Sequence, residues 1–218
     1  MSLKRQLARQ GKPKFRETLA VLPSPRCILD IGIANDSYLE CKSVFPDAKY
    51  HGLDFQTPDF KMASGDSFIL CNLEEAGALN DLPTGYDLII INHVLEHLRS
   101  GNQVFSDLCN RLAPGGVLYA EFPSLRTAYH RKTPNRYHFH DDPTHRRFYR
   151  LEDLANSAMD AGCKVLSCGP ISTPLKDTLA LPRALLGWIR GQGYGPFMLH
   201  SLGKIDHLMV QARAPGHP

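Results

Sequence analysis

With 218 residues, 43% of them hydrophobic and 22% charged, the chain has the make-up of one globular domain large enough for a full central sheet. A formal net charge of +3 is too small to mark a nucleic-acid binder, and no apolar run approaches the ~20 residues of a membrane span. Ser2 to Leu7 contain no long apolar core, so no secretory signal is expected, and six cysteines without a C-x-x-C pair read as reduced thiols of a cytoplasmic protein.

Residues 1–22 mix Leu3, Leu7 and Leu19 with Lys4, Arg5, Arg9, Lys12, Lys14 and Arg16, which predicts a basic helix or arm ahead of a main domain at 23–218. Strand patterns follow at Cys27–Asp30, Lys49–Asp54, Ser67–Asn72, Tyr86–Asn92, Val117–Phe122, Lys164–Gly169 and His207–Ala212. Helical patterns lie between most of them, at Ser37–Phe45, Val94–Leu98, Gln103–Leu112 and Leu151–Ala161. Such alternation predicts a doubly wound, seven-stranded α/β sheet with right-handed crossovers. Ala113-Pro114-Gly115-Gly116 reads as a turn between a helix and the next strand. Two stretches depart from the alternation: a polar, histidine-rich loop at about 123–150, and an insertion at about 171–203 with an expected helix at Thr178–Arg190. Its apolar stripe around Trp188 suits the core or a homodimer contact better than a membrane anchor. Loops of this kind above strand ends build substrate sites in open α/β folds.

The run from Cys27 to Asp30 ends on an acid, and a turn at Gly32 follows at once. A second run, Tyr50 to Leu53, ends on Asp54. A glycine turn lets backbone approach a nucleotide-like cofactor, and the later acid accepts from ribose hydroxyls. The third strand ends near Asn72, a polar residue suited to an adenine edge. Ala34 and Asp36 stand where further glycines are usual, so the turn lacks the G-x-G-x-x-G of an NAD site.

In order and spacing, "LDIG", "GLD", "CNLEE", "YDLIIINHVLEHL" and "LAPGGVL" resemble the class I S-adenosylmethionine-dependent methyltransferases, in particular the small-molecule branch with a "VLEHL"-type helix start. The resemblance covers about residues 25–122. It implies a Rossmann-like, mostly parallel sheet with an antiparallel C-terminal strand, and S-adenosylmethionine as cofactor. It also implies that Asp30, Gly32 and Ala34 border the methionine part, that Asp54 holds the ribose, that Asn72 and the Leu73 backbone meet adenine, and that Asn92 and His93 lie beside the sulfonium. A fold that no longer binds cofactor, kept as a regulatory or binding module, is the alternative.

Tyr137 to Tyr149 is the second dense patch, with His138, His140, Asp141, Asp142 and His145 close together. A histidine paired with an acid suits proton removal from a hydroxyl. "DDPTH" followed by an aromatic and "LEDL…AG" resembles a loop in methyltransferases associated with sugar and polysaccharide biosynthesis. On that likeness His145 is the base or a substrate ligand, Asp142 orients it, and His93 is the alternative base. The acceptor expected is a small polar molecule such as a sugar. Arg126, Arg131, Lys132, Arg136, Arg146, Arg147 and Arg150 favour a phosphate-bearing one, and no RNA-binding module accompanies them. Two other readings of the loop are a divalent metal on its histidines and acids, and a structural role in which His145 bonds to backbone and Asp142 caps a turn. The favoured reading assigns no metal, and gives Glu96 and His97 a supporting role.

Overall fold

The computed structural model describes residues 12–33, 35–129, 138–171 and 204–213, with isolated positions between 182 and 190. Its elements are α1 (Pro13–Val21), β1 (Cys27–Ile31), α2 (Asn35–Val44), β2 (Lys49–Asp54), β3 (Ser67–Leu70), β4 (Tyr86–Asn92), α3 (Gly101–Cys109), β5 (Leu112–Pro123), α4 (Arg126–Tyr129), α5 (Leu151–Asp160), β6 (Cys163–Pro170) and β7 (Ile205–Ala212). The strands form one seven-stranded sheet in the order β3-β2-β1-β4-β5-β7-β6. Strands β1 to β5 pair in parallel, and β7 runs antiparallel to both β5 and β6. The expected doubly wound, mostly parallel fold is present.

The apolar run in β4 shows why. Leu88, Ile89, Ile90 and Ile91 are all fully buried, as a strand covered on both faces requires. Leu88 and Ile90 pack with Phe15 of α1, with Tyr38, Cys41 and Val44 of α2, and with Phe45 just after it. Ile89 and Ile91 face the other way, onto Phe105 and Leu108 of α3 and Leu154 and Ala158 of α5. The period of two in the strand thus assigns helices to both sides of the sheet.

Three expectations change. Val94–Leu98 is not an α-helix: Leu95–His97 forms a single 3₁₀ turn, and Leu98 returns to extended backbone before α3. The cause lies just upstream, where His93 adopts φ +54, the one non-glycine residue with positive φ among those described. That conformation cannot start a right-handed helix. Second, Ala113-Pro114-Gly115-Gly116 lies inside β5, where the register jumps from Tyr86↔Leu112 to Leu88↔Val117. Gly116 is required there, since a Cβ would sit 2.6 Å from the Tyr86 carbonyl oxygen. Third, helix bounds move: Asn35 rather than Ser37 opens α2, and α3 runs Gly101–Cys109, so that Leu112, expected at the end of the Gln103–Leu112 helix, opens β5. Most of the expected helix at Thr178–Arg190, and residues 1–11 of the expected basic arm, lie outside the described residues.

α1 is tied to the far side of the sheet by a polar cluster. Glu17 Oε2 lies 2.9 Å from His207 Nε2 and accepts from Ser167 Oγ at 3.1 Å, and His207 Nδ1 is 2.8 Å from the Gly169 carbonyl. Both ring nitrogens therefore face acceptors, which favours the imidazolium. Burial opposes the charge on both partners, but their mutual attraction wins: Glu17 titrates below its ordinary range and His207 above its own. The His207 contribution is complete below its unfolded pKa and is lost as pH rises through the raised folded value. The Glu17 contribution is present above its unfolded pKa and is lost as pH falls. Glu17→Gln should therefore cost about 1–2 kcal/mol, or roughly 2–8 °C in Tm, near pH 6. Near pH 9 it should cost clearly less. Thermal melts at the two pH values check this, and an equal loss at both removes the imidazolium from the account.

Candidate functional site

β1 lies between β2 and β4, so the winding reverses there, and the crevice at the strands' carboxyl ends is where such folds take ligands. A cavity of about 480 Å³ occupies this place, within the range for small-molecule sites. Gly32, Asp54, Phe55, Asn72, Leu73, His93, His97, Thr144 and Arg146 are among the residues that bound it.

Gly32 shapes the floor. It has φ +75, and its N–H donates to the Leu53 carbonyl at 2.9 Å, which closes the turn against β2. A Cβ at this point would lie 2.3 Å from Val94 Cγ2, so only glycine leaves the space open. Asp54 stands half-buried at the end of β2, and its Oδ1 accepts from the Gln56 N–H at 3.1 Å. The side chain of Asn72 is engaged locally, accepting from the Glu74 N–H and donating to Glu75 Oε1. Phe55, 67% exposed, adds an aromatic face beside Asp54. Sequence reasoning passed over Phe55; the signal was a large aromatic directly after a strand-ending acid.

The other predicted cofactor residues stand elsewhere. Asp30 does not line the cavity: it is 3% exposed and accepts from the Tyr50 hydroxyl at 2.8 Å. Burial pushes its carboxyl upward, with the Lys14 charge opposing. It lies on the face of the sheet that α1 and α2 cover. Asn92 ends β4 half-buried, outside the cavity lining, and its Oδ1 has no hydrogen-bond partner among the described residues. Ala34 and the side chain of Asp36 lie outside the described residues.

His93 stands at the rim with its side chain 43% exposed. Its N–H donates to the Glu121 carbonyl at 2.8 Å, and its Nδ1 is 3.2 Å from Glu96 Oε1. Partial burial disfavours the charged ring, but the hydrogen bond and charge of Glu96 more than offset it, so His93 titrates above the usual histidine range.

The loop at 138–147 is laced onto the 3₁₀ turn beneath it. The Arg146 and Arg147 N–H groups donate to the Glu96 carbonyl at 2.8 and 3.2 Å. Thr144 Oγ1 lies 2.9 Å from His97 Nδ1. The geometry at His145 and Asp142 is that of the structural reading. His145 Nδ1 is 2.7 Å from the Phe139 carbonyl, while Asp142 Oδ2 is 3.8 Å from His145 Nε2, too far for a hydrogen bond. Asp142 Oδ1 instead takes the Thr144 N–H (2.8 Å) and hydroxyl, a local turn that holds its carboxyl below the ordinary range. His138, His140 and Asp141 cap a separate turn, with the His138 N–H donating to Asp141 Oδ2 and the His140 N–H to His138 Nδ1.

A switch-point cavity, a glycine floor and an acid at the neighbouring strand tip define a doubly wound domain of the kind that holds a nucleotide-like cofactor. Residues 3–168 match the family model described as a methyltransferase domain, and the chain belongs to that family. No curated protein sequence matches the chain. Among solved structures, it is similar to a chain from the Haloferax volcanii complex that contains the Trm112 methyltransferase activator: TM-score 0.67, 13% identity, covering 98% of this chain and 99% of that one. A SAM-dependent methyltransferase from Archaeoglobus fulgidus is similar at TM-score 0.61 and 17% identity, over 95% and 94% of the two chains. An S-adenosylmethionine-dependent methyltransferase from Mesorhizobium loti follows at TM-score 0.60 and 14% identity, over 93% and 99%. At these identities the likeness speaks for the fold.

Proposed function

We propose that the chain is an S-adenosylmethionine-dependent methyltransferase that acts on an oxygen of a small polar acceptor, a sugar or a phosphate-bearing relative of one. The observation that carries this reading is the cavity at the carboxyl ends of β1, β2 and β4, floored by Gly32 and edged by Asp54, in a member of the methyltransferase-domain family. When bound, the cofactor supplies an electrophilic methyl group on a sulfonium. The Gly32 turn presents bare backbone to the methionine part, Asp54 accepts from the ribose hydroxyls, and Phe55 with the Asn72–Leu73 backbone flanks the adenine.

His93 is the group of this chain placed to take the acceptor's proton. Its ring reaches the cavity, and Glu96 Oε1 fixes Nδ1, which leaves Nε2 for the acceptor. Once the reactants are held in line, positioning supplies much of the rate of a displacement. Thr144, His97 and Arg146 give the same cavity hydroxyl, imidazole and guanidinium groups, which support a polar and anionic acceptor over an apolar one. The likeness of the "DDPTH" loop to sugar-associated enzymes points the same way. All six cysteines are free thiols, which supports a cytoplasmic site of action.

Calorimetry with S-adenosylhomocysteine should show one saturable site with a Kd on the order of micromolar (about −8 kcal/mol) and a matching rise in Tm. Absence of both heat and thermal shift at millimolar ligand would sink the enzyme reading. Transfer of labelled methyl groups to hydroxylated sugars, sugar phosphates and matched amines then tests the acceptor class.

A further inference from the structure

The buried end of the 3₁₀ turn carries a carboxylate without enough partners. Glu96 is 2% exposed in its side chain; Oε1 meets His93 Nδ1, and Oε2 is buried with no hydrogen-bond partner among the described residues. Such an oxygen is costly unless something positive meets it. Two imidazoles stand beside it. One ligand atom each from Glu96, His97 and His145 lie within 4.8 Å of one another.

We propose that Glu96, His97 and His145 form a site for one divalent transition-metal ion at the acceptor end of the cavity. The two rings are already oriented as ligands. His97 Nδ1 is held by Thr144 Oγ1, which in turn donates to Asp142 Oδ1. His145 Nδ1 is held by the Phe139 carbonyl at 2.7 Å. Outer contacts of this type fix the ring and its tautomer in metal sites, and here they make Nε2 the coordinating atom on both residues. Glu96 divides its work, with Oε1 on His93 and Oε2 on the ion. Metal–ligand bonds of about 2.0–2.2 Å place donors roughly 3–4 Å apart, so the three side chains close in by small rotations.

Two imidazoles and one carboxylate select manganese, iron, cobalt or zinc over magnesium and calcium, which prefer all-oxygen shells. Three protein ligands leave positions open toward the cavity, which His97 also lines. There the ion is placed to take an acceptor hydroxyl, a role that rests on the methyltransferase reading; the binding of the ion itself does not. The loop histidines His138 and His140 take no part.

The test uses the full, untagged chain, freed of metal with a chelator and titrated with Co²⁺ and Mn²⁺. One equivalent should bind, with visible Co²⁺ absorption bands typical of nitrogen ligation. His97→Ala, His145→Ala and Glu96→Gln should each weaken binding by at least about 10-fold. If an alanine variant does not fold by circular dichroism, His97→Gln or His145→Gln takes its place. No saturable binding up to millimolar metal, or binding untouched by all three substitutions, overturns the site. Calorimetry with S-adenosylhomocysteine on the metal-free protein is read separately: cofactor binding without metal binding defeats only this inference, and metal binding without cofactor binding defeats only the enzymatic one.

Discussion

Asp54→Ala should weaken S-adenosylmethionine binding by about 2–3 kcal/mol, roughly 30- to 150-fold, with little change in the Tm of the free protein. Asp54 ends β2 half-buried at the edge of the cavity, and among the described residues its side chain accepts a hydrogen bond from the Gln56 N–H two residues on. Its loss therefore barely touches the fold. In the proposed role it gives a ribose a charged acceptor for two hydroxyls, and hydrogen bonds to charged groups are individually worth about 1.5–3 kcal/mol. Partial exposure brings the total below the simple sum of two such bonds. Asp54→Asn keeps an acceptor without the charge and should fall between the two. Calorimetry decides it, and wild-type affinity in the alanine variant would remove the ribose role.

Gly32→Ala should damage both stability and binding. The added Cβ would lie 2.3 Å from Val94 Cγ2, on a side chain too stiff at χ1 to swing clear, and the backbone at φ +75 is one that alanine resists. Backbone strain of about 1–2 kcal/mol and crowding of about 1–3 kcal/mol together should lower Tm by roughly 5–15 °C. The same methyl intrudes on the cavity floor, so cofactor affinity should drop at least about 10-fold, or 1.4 kcal/mol. Gly115→Ala is the control. Gly115 has φ +78, but a Cβ there meets nothing within 4 Å, so it should show the backbone cost alone. Similar melts for the two variants would mean that the Val94 contact does not shape the floor.

The sheet was legible because its central strands β1 and β4 are short, mostly apolar runs, CILDI and YDLIIIN, which remain strands however the loops are arranged. Leu88 to Ile91 could be read from four letters. What failed were junctions. His93 looks like any helix-compatible residue, and only tertiary structure reveals that it bends left-handed to hand its N–H to Glu121. The cavity was half legible. Gly32, Asp54, Asn72 and Leu73 line it as the strand-end logic predicts, but Asp30 shares the face of Ile28 that α1 and α2 cover, where it meets Tyr50. The histidine loop was read as a self-contained group. In the structure Thr144 and Arg146 of that loop line the cavity, and His145 stands beside Glu96 and His97, which come from a segment nearly fifty residues earlier. No spacing rule along the chain reports a contact of that kind.

The position of β7 has a consequence for how the molecule is made. Among the described strands, β6 has β7 as its sole neighbour in the sheet, and β7, the last of them in sequence, is wedged between β5 and β6. While the nascent chain is leaving the ribosome, the parallel half can assemble, but β5 ends in an open edge and β6 has no strand to join. Until residues 205–212 emerge, both offer unpaired backbone to other chains. Emergence of residues 205–212, rather than the early parallel pairing, thus sets the moment at which the sheet is closed, and truncation ahead of Ile205 should yield aggregates instead of a smaller folded domain.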